Sequence, residues 1–217
     1  MSKTDRHIAM PVIRRLPRYY RCLCNMEQNG IEKISSRALA EAMNITASQV
    51  RQDLNCFGGF GQQGYGYIVS MLRGEIAKLL GMDSKKKTVL YGVGNLGRAI
   101  IYHFDFEKFG FELCGLFDTN PELVGTELGG LIISDDEELE KFTEDHTVDA
   151  AILCIPTTSA EEVVEKLYAA GVRCFLNFNH FDIKSRYPDC VVENVHLSES
   201  LMTLGYLMTD KSNSAEE

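Results

Sequence analysis

The sequence predicts an α/β protein, with an N-terminal helix-turn-helix unit followed by a mostly parallel, doubly wound sheet. Three observations predict it. Residues 1–84 carry helical periodicity with polar caps. From Thr88 onward, short apolar runs alternate with helical stretches. At the junction, Thr88-Val89-Leu90-Tyr91 runs into Gly92-Val93-Gly94-Asn95-Leu96-Gly97, a strand entering a G-x-G-x-x-G turn. The expected divisions are 1–84, 85–195, and a closing helix with its tail over 196–217.

Pro11 to Arg15 fit a short helical turn. Leu16 precedes Pro17, and proline disfavours helical backbone at the residue before it. Pro17 then suits the first position of a helix running to about Met26, with Tyr19 or Tyr20, Leu23 and Met26 on its apolar side. Asn29-Gly30 ends it. Ile31 to Ile34 reads as a connector or small strand. Ser35 or Ser36 caps a second helix to Met43, whose buried stripe is Leu39, Ala42 and Met43. Asn44 is a left-handed stop. Thr46-x-x-Gln49 has capping-box spacing, so Thr46 starts a third helix. Val50 and Leu54 face inward on it, while Ser48, Gln49, Arg51, Gln52 and Asn55 give it a polar outer face. The two helices joined at Asn44-Ile45 form the helix-turn-helix. Glycines and aromatics from Phe57 to Val69 then read as a twisted hairpin, a wing carrying Gln62, Gln63 and Tyr65. Ser70 to Leu80 is expected as an amphipathic linker helix on Leu72, Ile76 and Leu79 or Leu80, stopped by Gly81.

Strands are expected at Thr88–Tyr91, Phe111–Phe117, Leu131–Ile133, Val148–Ile155, Cys174–Phe178 and Val191–Val195. Helices are expected at Leu96–His103, Asp135–Lys141, Ser159–Ala170 and Ser198–Met208. The acidic run Asp135-Asp136-Glu137-Glu138 reads as a solvated helix N-terminus, where negative charge complements the dipole.

The net charge of −9 conceals an asymmetry. Residues 1–87 hold 14 Lys/Arg against 7 Asp/Glu, and the remainder 8 against 24. A basic head before an acidic body is the distribution of a nucleic-acid reader with a separate regulatory part, or of an ordinary domain with a solvated basic face. Seven cysteines show no C-x-x-C and no paired metal spacing, and several sit in apolar strand-like runs, as small apolar core groups do. No run of 18 apolar residues and no leader pattern are present, so a cytoplasmic protein without a membrane partner is expected.

The glycines of the turn have separate tasks. Gly92 permits the tight turn, Gly94 lets backbone approach a pyrophosphate, and Gly97 lets the helix pack on the strand. Val93, Asn95 and Leu96 supply the amides between them. Asp118 ends the next strand, 21 residues past Gly97, where a carboxylate accepts from adenosine ribose hydroxyls and repels a 2′-phosphate. NAD(H) is therefore the expected cofactor. Thr157, Thr158 and Ser159 follow a later strand, where they can cap the next helix and also approach the nicotinamide end, or cap alone. No His/Asp or Tyr/Lys pair stands out as an acid–base unit, and only one helix and a tail follow Val195, so no enzyme is expected.

Taken in order, Arg15-Leu16-Pro17-Arg18-Tyr19-Tyr20, Ser36-Arg37-Ala38-Leu39-Ala40, Gln49-Val50-Arg51-Gln52-Asp53-Leu54, Phe57-Gly58, Gly64-x-Gly66-Tyr67, the glycine turn and Leu197-Ser-Glu-Ser-Leu201 make the chain resemble the Rex family of redox-sensing transcriptional repressors. The resemblance covers nearly the whole chain. It implies winged-helix domains followed by Rossmann-like domains in a homodimer that binds an operator and releases it when NADH binds. The implied operator is double-stranded DNA, an A·T-rich inverted repeat. It also implies a swapped C-terminal helix, with Leu197, Leu201, Leu204, Leu207 and Met208 as its apolar face. Ser48, Gln49, Arg51 and Gln52 then lie on the recognition helix, and Gln62, Gln63 and Tyr65 on the wing. Arg14, Arg15, Arg18 and Arg37 are the implied phosphate contacts. Gln49 has capping as its competing role. The chain departs from the family at Asn179-His180, where Ala-Pro is common, at His103, where tyrosine is frequent, and at His196, where an acidic residue is usual.

Overall fold

The computed structural model describes residues 8–58 and 66–213, and for 211–213 the backbone alone. The chain divides into two compact units, Met1–Ser84 and Lys85–Glu217.

In the first unit, α1 runs unbroken over Met10–Gln28. The expected break before Pro17 does not occur. Leu16, Tyr19, Leu23 and Met26 fall on one buried stripe, and Pro17 lies on the exposed side, where the carbonyl lacking its partner can meet water. Burying four large side chains at ~1.5–3 kcal/mol each outweighs an interior proline at ~3 kcal/mol. β1 (Lys33–Ile34) leads to α2 (Ser36–Met43), where the Ser35 hydroxyl accepts from the Ala38 amide. Asn44 ends α2 at φ 53°. The buried arc of α2 is Leu39, Met43 and Ala40, and Ala42 is exposed, contrary to expectation. Period alone fixes Leu39 and Met43 and leaves open which flanking alanine turns inward. α3 (Ala47–Asn55) begins with the Thr46 hydroxyl accepting from the Gln49 amide at 3.1 Å.

β2 (Tyr67–Ile68) pairs antiparallel with β1, Ile34 opposite Tyr67. The tip of the expected wing, with Gln62, Gln63 and Tyr65, lies outside the described residues. α4 (Val69–Leu79) was expected as a linker. Instead it packs on α1 through Val69, Leu72 and Ile76 and completes this core, with Leu80 half-buried and Leu79 exposed.

The second unit carries a seven-stranded sheet. Its elements are β3 (Lys86–Tyr91), α5 (Asn95–His103), β4 (Phe111–Asp118), β5 (Glu127–Leu128), β6 (Leu131–Asp135), α6 (Leu139–Asp145), β7 (Ala150–Leu153), α7 (Thr157–Ala169), β8 (Cys174–Asn177), α8 (Ile183–Arg186), β9 (Val191–Asn194) and α9 (Leu197–Asn213). The order is β5-β6-β4-β3-β7-β8-β9, parallel throughout except for β5. β5, α8 and a 3₁₀ turn at Glu107–Phe109 were not expected from the pattern. Alternate residues feed two cores, Val89, Tyr91, Phe117 and Leu153 on one face, and Leu90, Leu116, Ile133 and Ile152 on the other. β3 is central, with β4 on one side and β7 on the other. The chain thus reverses direction across the sheet at β3/β7, the place where such folds open a ligand crevice.

The acidic run departs from its expected helix. Asp135 caps a 3₁₀ turn over Asp136–Glu138, and α6 starts only at Leu139. Asp136 is half-buried rather than fully solvated. It accepts from the Tyr91 hydroxyl and from the Lys166 ammonium. Burial, with the Asp136 carboxylate beside it, pushes the Tyr91 phenol well above its ordinary range.

Candidate nucleic-acid interface and nucleotide site

α3 shows solvent a polar stripe of Ser48, Arg51, Gln52 and Asn55, spaced i, i+3, i+4, i+7, with Gln49 half-buried at its edge. Arg51 Nη1 donates to the Ser36 hydroxyl at 3.1 Å, tying α3 to the start of α2. Arg18 Nη2 donates to the Met43 carbonyl at 3.1 Å and satisfies the end of α2. Arg37 pairs with Glu41 one turn on, and Arg14 is exposed on α1.

Behind α3 sits a group that the sequence reading missed. Asp53 is 1% exposed. Arg15 Nε and Nη2 donate to its two oxygens, each at 2.7 Å. The Tyr19 hydroxyl donates to Oδ2 at 3.0 Å, and Gln49 Nε2 to Oδ1 at 2.9 Å. Burial pushes the Asp53 carboxyl up, but the hydrogen bonds from Arg15, Gln49 and Tyr19 outweigh it and hold the group below its ordinary range. Gln49 therefore makes only half of a capping box: its backbone amide meets Thr46, while its side chain turns to Asp53. The available signal was Asp53 three residues after Val50, on the inward face of an otherwise apolar stripe.

In the second unit, Gly92 follows β3 at φ 91°, and a Cβ there would lie 2.6 Å from the Cys154 carbonyl oxygen. A Cβ on Gly97 would collide with the Gly92 carbonyl. Both glycines are required by the protein itself. Gly94 differs: its φ is −72° and a Cβ would meet nothing within 4 Å. The space over Gly94 is open, and the first-turn amides of α5 face outward there, as every helix start leaves donors unpaired. Arg98 Nε donates back to the Val93 carbonyl at 3.1 Å and braces the turn. Asp118 accepts from the Val93 amide at 2.6 Å and from the Asn120 amide at 2.8 Å, so the carboxylate is fixed beside the turn. This geometry fits a dinucleotide: an open backbone cradle, a helix N-terminus for phosphate, and an oriented carboxylate for a ribose.

Thr157 opens α7, whose cap residue is Pro156, so the three hydroxyls at 157–159 do not cap it. Instead the Thr157 hydroxyl accepts from the His180 amide at 3.3 Å. This joins the crevice to a polar knot that the sequence reading left unassembled. The Asn177 side-chain amide donates to the Asn179 and Phe181 carbonyls and to Asn194 Oδ1. His196 contacts the Asn179 carbonyl through Nε2 and Glu199 through Nδ1, and its ring lies 4.4 Å from that of His180. The hydrogen bond to Glu199, then that to Asn179, raises the His196 pKa. His103 ends α5, exposed. Cys154, beside the glycine turn, is pushed up to about 12 by burial, so it stays a thiol. Among the described residues no cluster of His, Cys, Asp or Glu has metal-site geometry, and no helix is long and apolar enough to cross a membrane.

Residues 7–55 match the family model "Putative DNA-binding protein N-terminus", and residues 83–181 match "CoA binding domain". A protein of Caldanaerobacter subterraneus subsp. tengcongensis named redox-sensing transcriptional repressor Rex is 48% identical, over 94% of this chain and 91% of that one. A protein of the same name from Clostridioides difficile is 46% identical, over 95% and 98%. Among solved structures, RSP in complex with β-NAD⁺ and operator DNA matches with a TM-score of 0.88 at 45% identity, covering 96% of each chain. RSP in complex with β-NADH matches with a TM-score of 0.88 at 42% identity, covering 99% of each.

Proposed function

The chain belongs to the Rex family of redox-sensing transcriptional repressors, and from that premise we propose that it binds operator DNA as a homodimer and lets go when NADH binds. The observation that carries this reading is the likeness, along nearly the whole chain, to a repressor solved both with operator DNA and with NADH. Ser48, Gln49, Arg51 and Gln52 meet base edges and backbone in the major groove of an A·T-rich inverted repeat, and Gln62, Gln63 and Tyr65 reach from the wing. Arg14, Arg18 and Arg37 neutralise phosphates, which makes affinity steeply salt-dependent. Arg15 acts first by holding Asp53, and its side chain keeps 22% of its surface exposed.

In the nucleotide unit the amides of Gly94, Asn95 and Leu96, between Gly92 and Gly97, hold the pyrophosphate, while the Val93 amide, expected from the sequence to join them, is taken by Asp118 and serves to fix that carboxylate. Asp118 orients the adenosine ribose, and Thr157 borders the nicotinamide end. The bound nicotinamide supplies a ring whose charge and shape change with oxidation state. The protein converts that difference only as far as its two conformations bind the reduced form unequally. α9 exposes Leu197, Leu201, Leu204, Leu207 and Met208, with Leu201 at 69%, and such a face calls for a second subunit. In this reading NADH changes the separation of the two recognition helices, the protein works in the cytoplasm, and it catalyses nothing.

The CoA-type match names another ligand for the same phosphate turn. Asp118 favours a ribose with free hydroxyls, because coenzyme A would bring a ribose phosphate against this carboxylate. Mobility shift on an A·T-rich inverted repeat, with and without NADH, tests the proposal, and equilibrium dialysis with NADH, NAD⁺ and coenzyme A tests the ligand. Retention of the operator complex at saturating NADH would reject the switch, and tight coenzyme A binding would reject the ligand.

A further inference from the structure

Every lone-pair direction of the Asp53 carboxylate is taken. Oδ1 accepts from Arg15 Nη2 and Gln49 Nε2, and Oδ2 accepts from Arg15 Nε and the Tyr19 hydroxyl. Paired with Arg15 and held below the ordinary carboxylate range, the group is ionised and can only accept. A side-chain amide can normally turn either its oxygen or its nitrogen toward a partner. Gln49 cannot, because turning it over would set oxygen against a carboxylate oxygen. Its nitrogen therefore faces inward, and its oxygen is the end left beside the exposed stripe of Ser48, Arg51 and Gln52.

We propose that Asp53 is a positioning residue that makes Gln49 a reader of exocyclic amino groups, with adenine as its preferred base. The proposal rests on the reading of α3 as the helix that enters the major groove. Adenine N6 donates to the fixed amide oxygen, and the second amide hydrogen is left for N7. Cytosine offers its amino group alone. Guanine O6 and thymine O4 would place oxygen against oxygen. Arg15 and Tyr19 act through Asp53, so three residues that touch no base set one letter of the operator.

The test uses the full-length protein and an operator half-site in which each position is changed to each of the four bases. Affinity is read by fluorescence anisotropy for wild type, Gln49→Ala and Asp53→Asn. In Asp53→Asn one acceptor oxygen becomes a donor, so Gln49 can meet it either way round. The expected result is one position where wild type prefers adenine over guanine by roughly tenfold, a preference that both variants flatten while other positions keep theirs. An Asp53→Asn protein that binds more weakly to all sites alike, with the adenine preference intact, overturns the proposal. So does a Gln49-dependent position that favours guanine or thymine. Where Asp53→Asn does not fold, the Gln49 side-chain amide of wild type decides, assigned by its loss in Gln49→Ala. One proton protected from exchange supports the proposal, and two freely exchanging protons overturn it. Absence of any operator binding by wild type strikes the functional reading instead, and the amide spectrum still reports the orientation.

Discussion

Arg15→Met removes the counter-ion of Asp53 and keeps an apolar stem of similar length. The structure makes the two ends of this pair unequal. Asp53 is 1% exposed, so without Arg15 its carboxylate is stranded, whereas the Arg15 side chain at 22% can turn into water when Asp53 is lost. Breaking a buried pair by deleting one partner costs ~3–5 kcal/mol. Tyr19 and Gln49 still donate to Asp53, which places Arg15→Met near the lower end, about 3 kcal/mol. Asp53→Ala, which leaves a charge that can rehydrate, costs about 1–2 kcal/mol. For a unit of this size 1 kcal/mol corresponds to ~4–8 °C, so Arg15→Met lowers the melting temperature of the N-terminal unit by roughly 12–24 °C. The double variant Arg15→Met/Asp53→Leu recovers only part of that, since it removes the stranded charge but leaves the buried Tyr19 hydroxyl without its acceptor.

Acid separates the cases further. In wild type Asp53 is held low, so its contribution is complete above the unfolded carboxylate pKa of ~3.9 and is lost as pH falls through the folded value. In Arg15→Met the stranded carboxylate is relieved by taking up a proton, so mild acid stabilises that variant. Urea and thermal unfolding followed by circular dichroism, at neutral and acid pH, measure all of this. A loss of about 1 kcal/mol or less for Arg15→Met, the value of an exposed ion pair, with no gain from the double variant, would refute the reasoning.

Three further outcomes are expected. Gly94→Ala leaves the melting temperature unchanged and weakens NADH binding in calorimetry, while Gly97→Ala, with its Cβ against the Gly92 carbonyl, destabilises the nucleotide unit itself; equal loss of stability in both would remove the argument for an open cradle. The His196 pKa is raised, so its hold on Glu199 is complete below the unfolded pKa of ~6.5 and fades as pH rises through the folded value. Amide exchange at the start of α9 should accordingly quicken on going alkaline, beyond the intrinsic rate, in wild type and not in His196→Ala. Tyr91→Phe takes one donor from half-buried Asp136 but leaves Lys166, so it should cost about 1 kcal/mol; a neutral effect in urea unfolding would mean the Tyr91 hydroxyl does not bond there in solution.

The sheet was legible because its strands are short apolar runs flanked by glycine and by polar helix starts, and the glycine turn with Asp118 follows directly from local sequence. β5 and α8 were not, since two- and four-residue elements carry no period to read. Pro17 misled because its local bias was weighed without the stripe from Leu16 to Met26 that overrides it. The Arg15–Asp53–Tyr19–Gln49 group pairs residues up to 38 positions apart, and the Asn177–His196 knot joins a strand end to the foot of α9. Contacts of that range depend on how α1 lies against α3 and how β8 lies against β9, which pattern along the chain does not encode. Asp136 shows the same limit: four acids in a row read as solvated, and only the fold brings Tyr91 and Lys166 to one of them.

Linkage gives the most direct test of the whole account. NADH affinity is measured by calorimetry with and without saturating operator duplex, and operator affinity by anisotropy with and without saturating NADH, at one salt concentration. NADH should weaken operator binding and operator DNA should weaken NADH binding by the same factor. Two binding activities that each leave the other unchanged would contradict it.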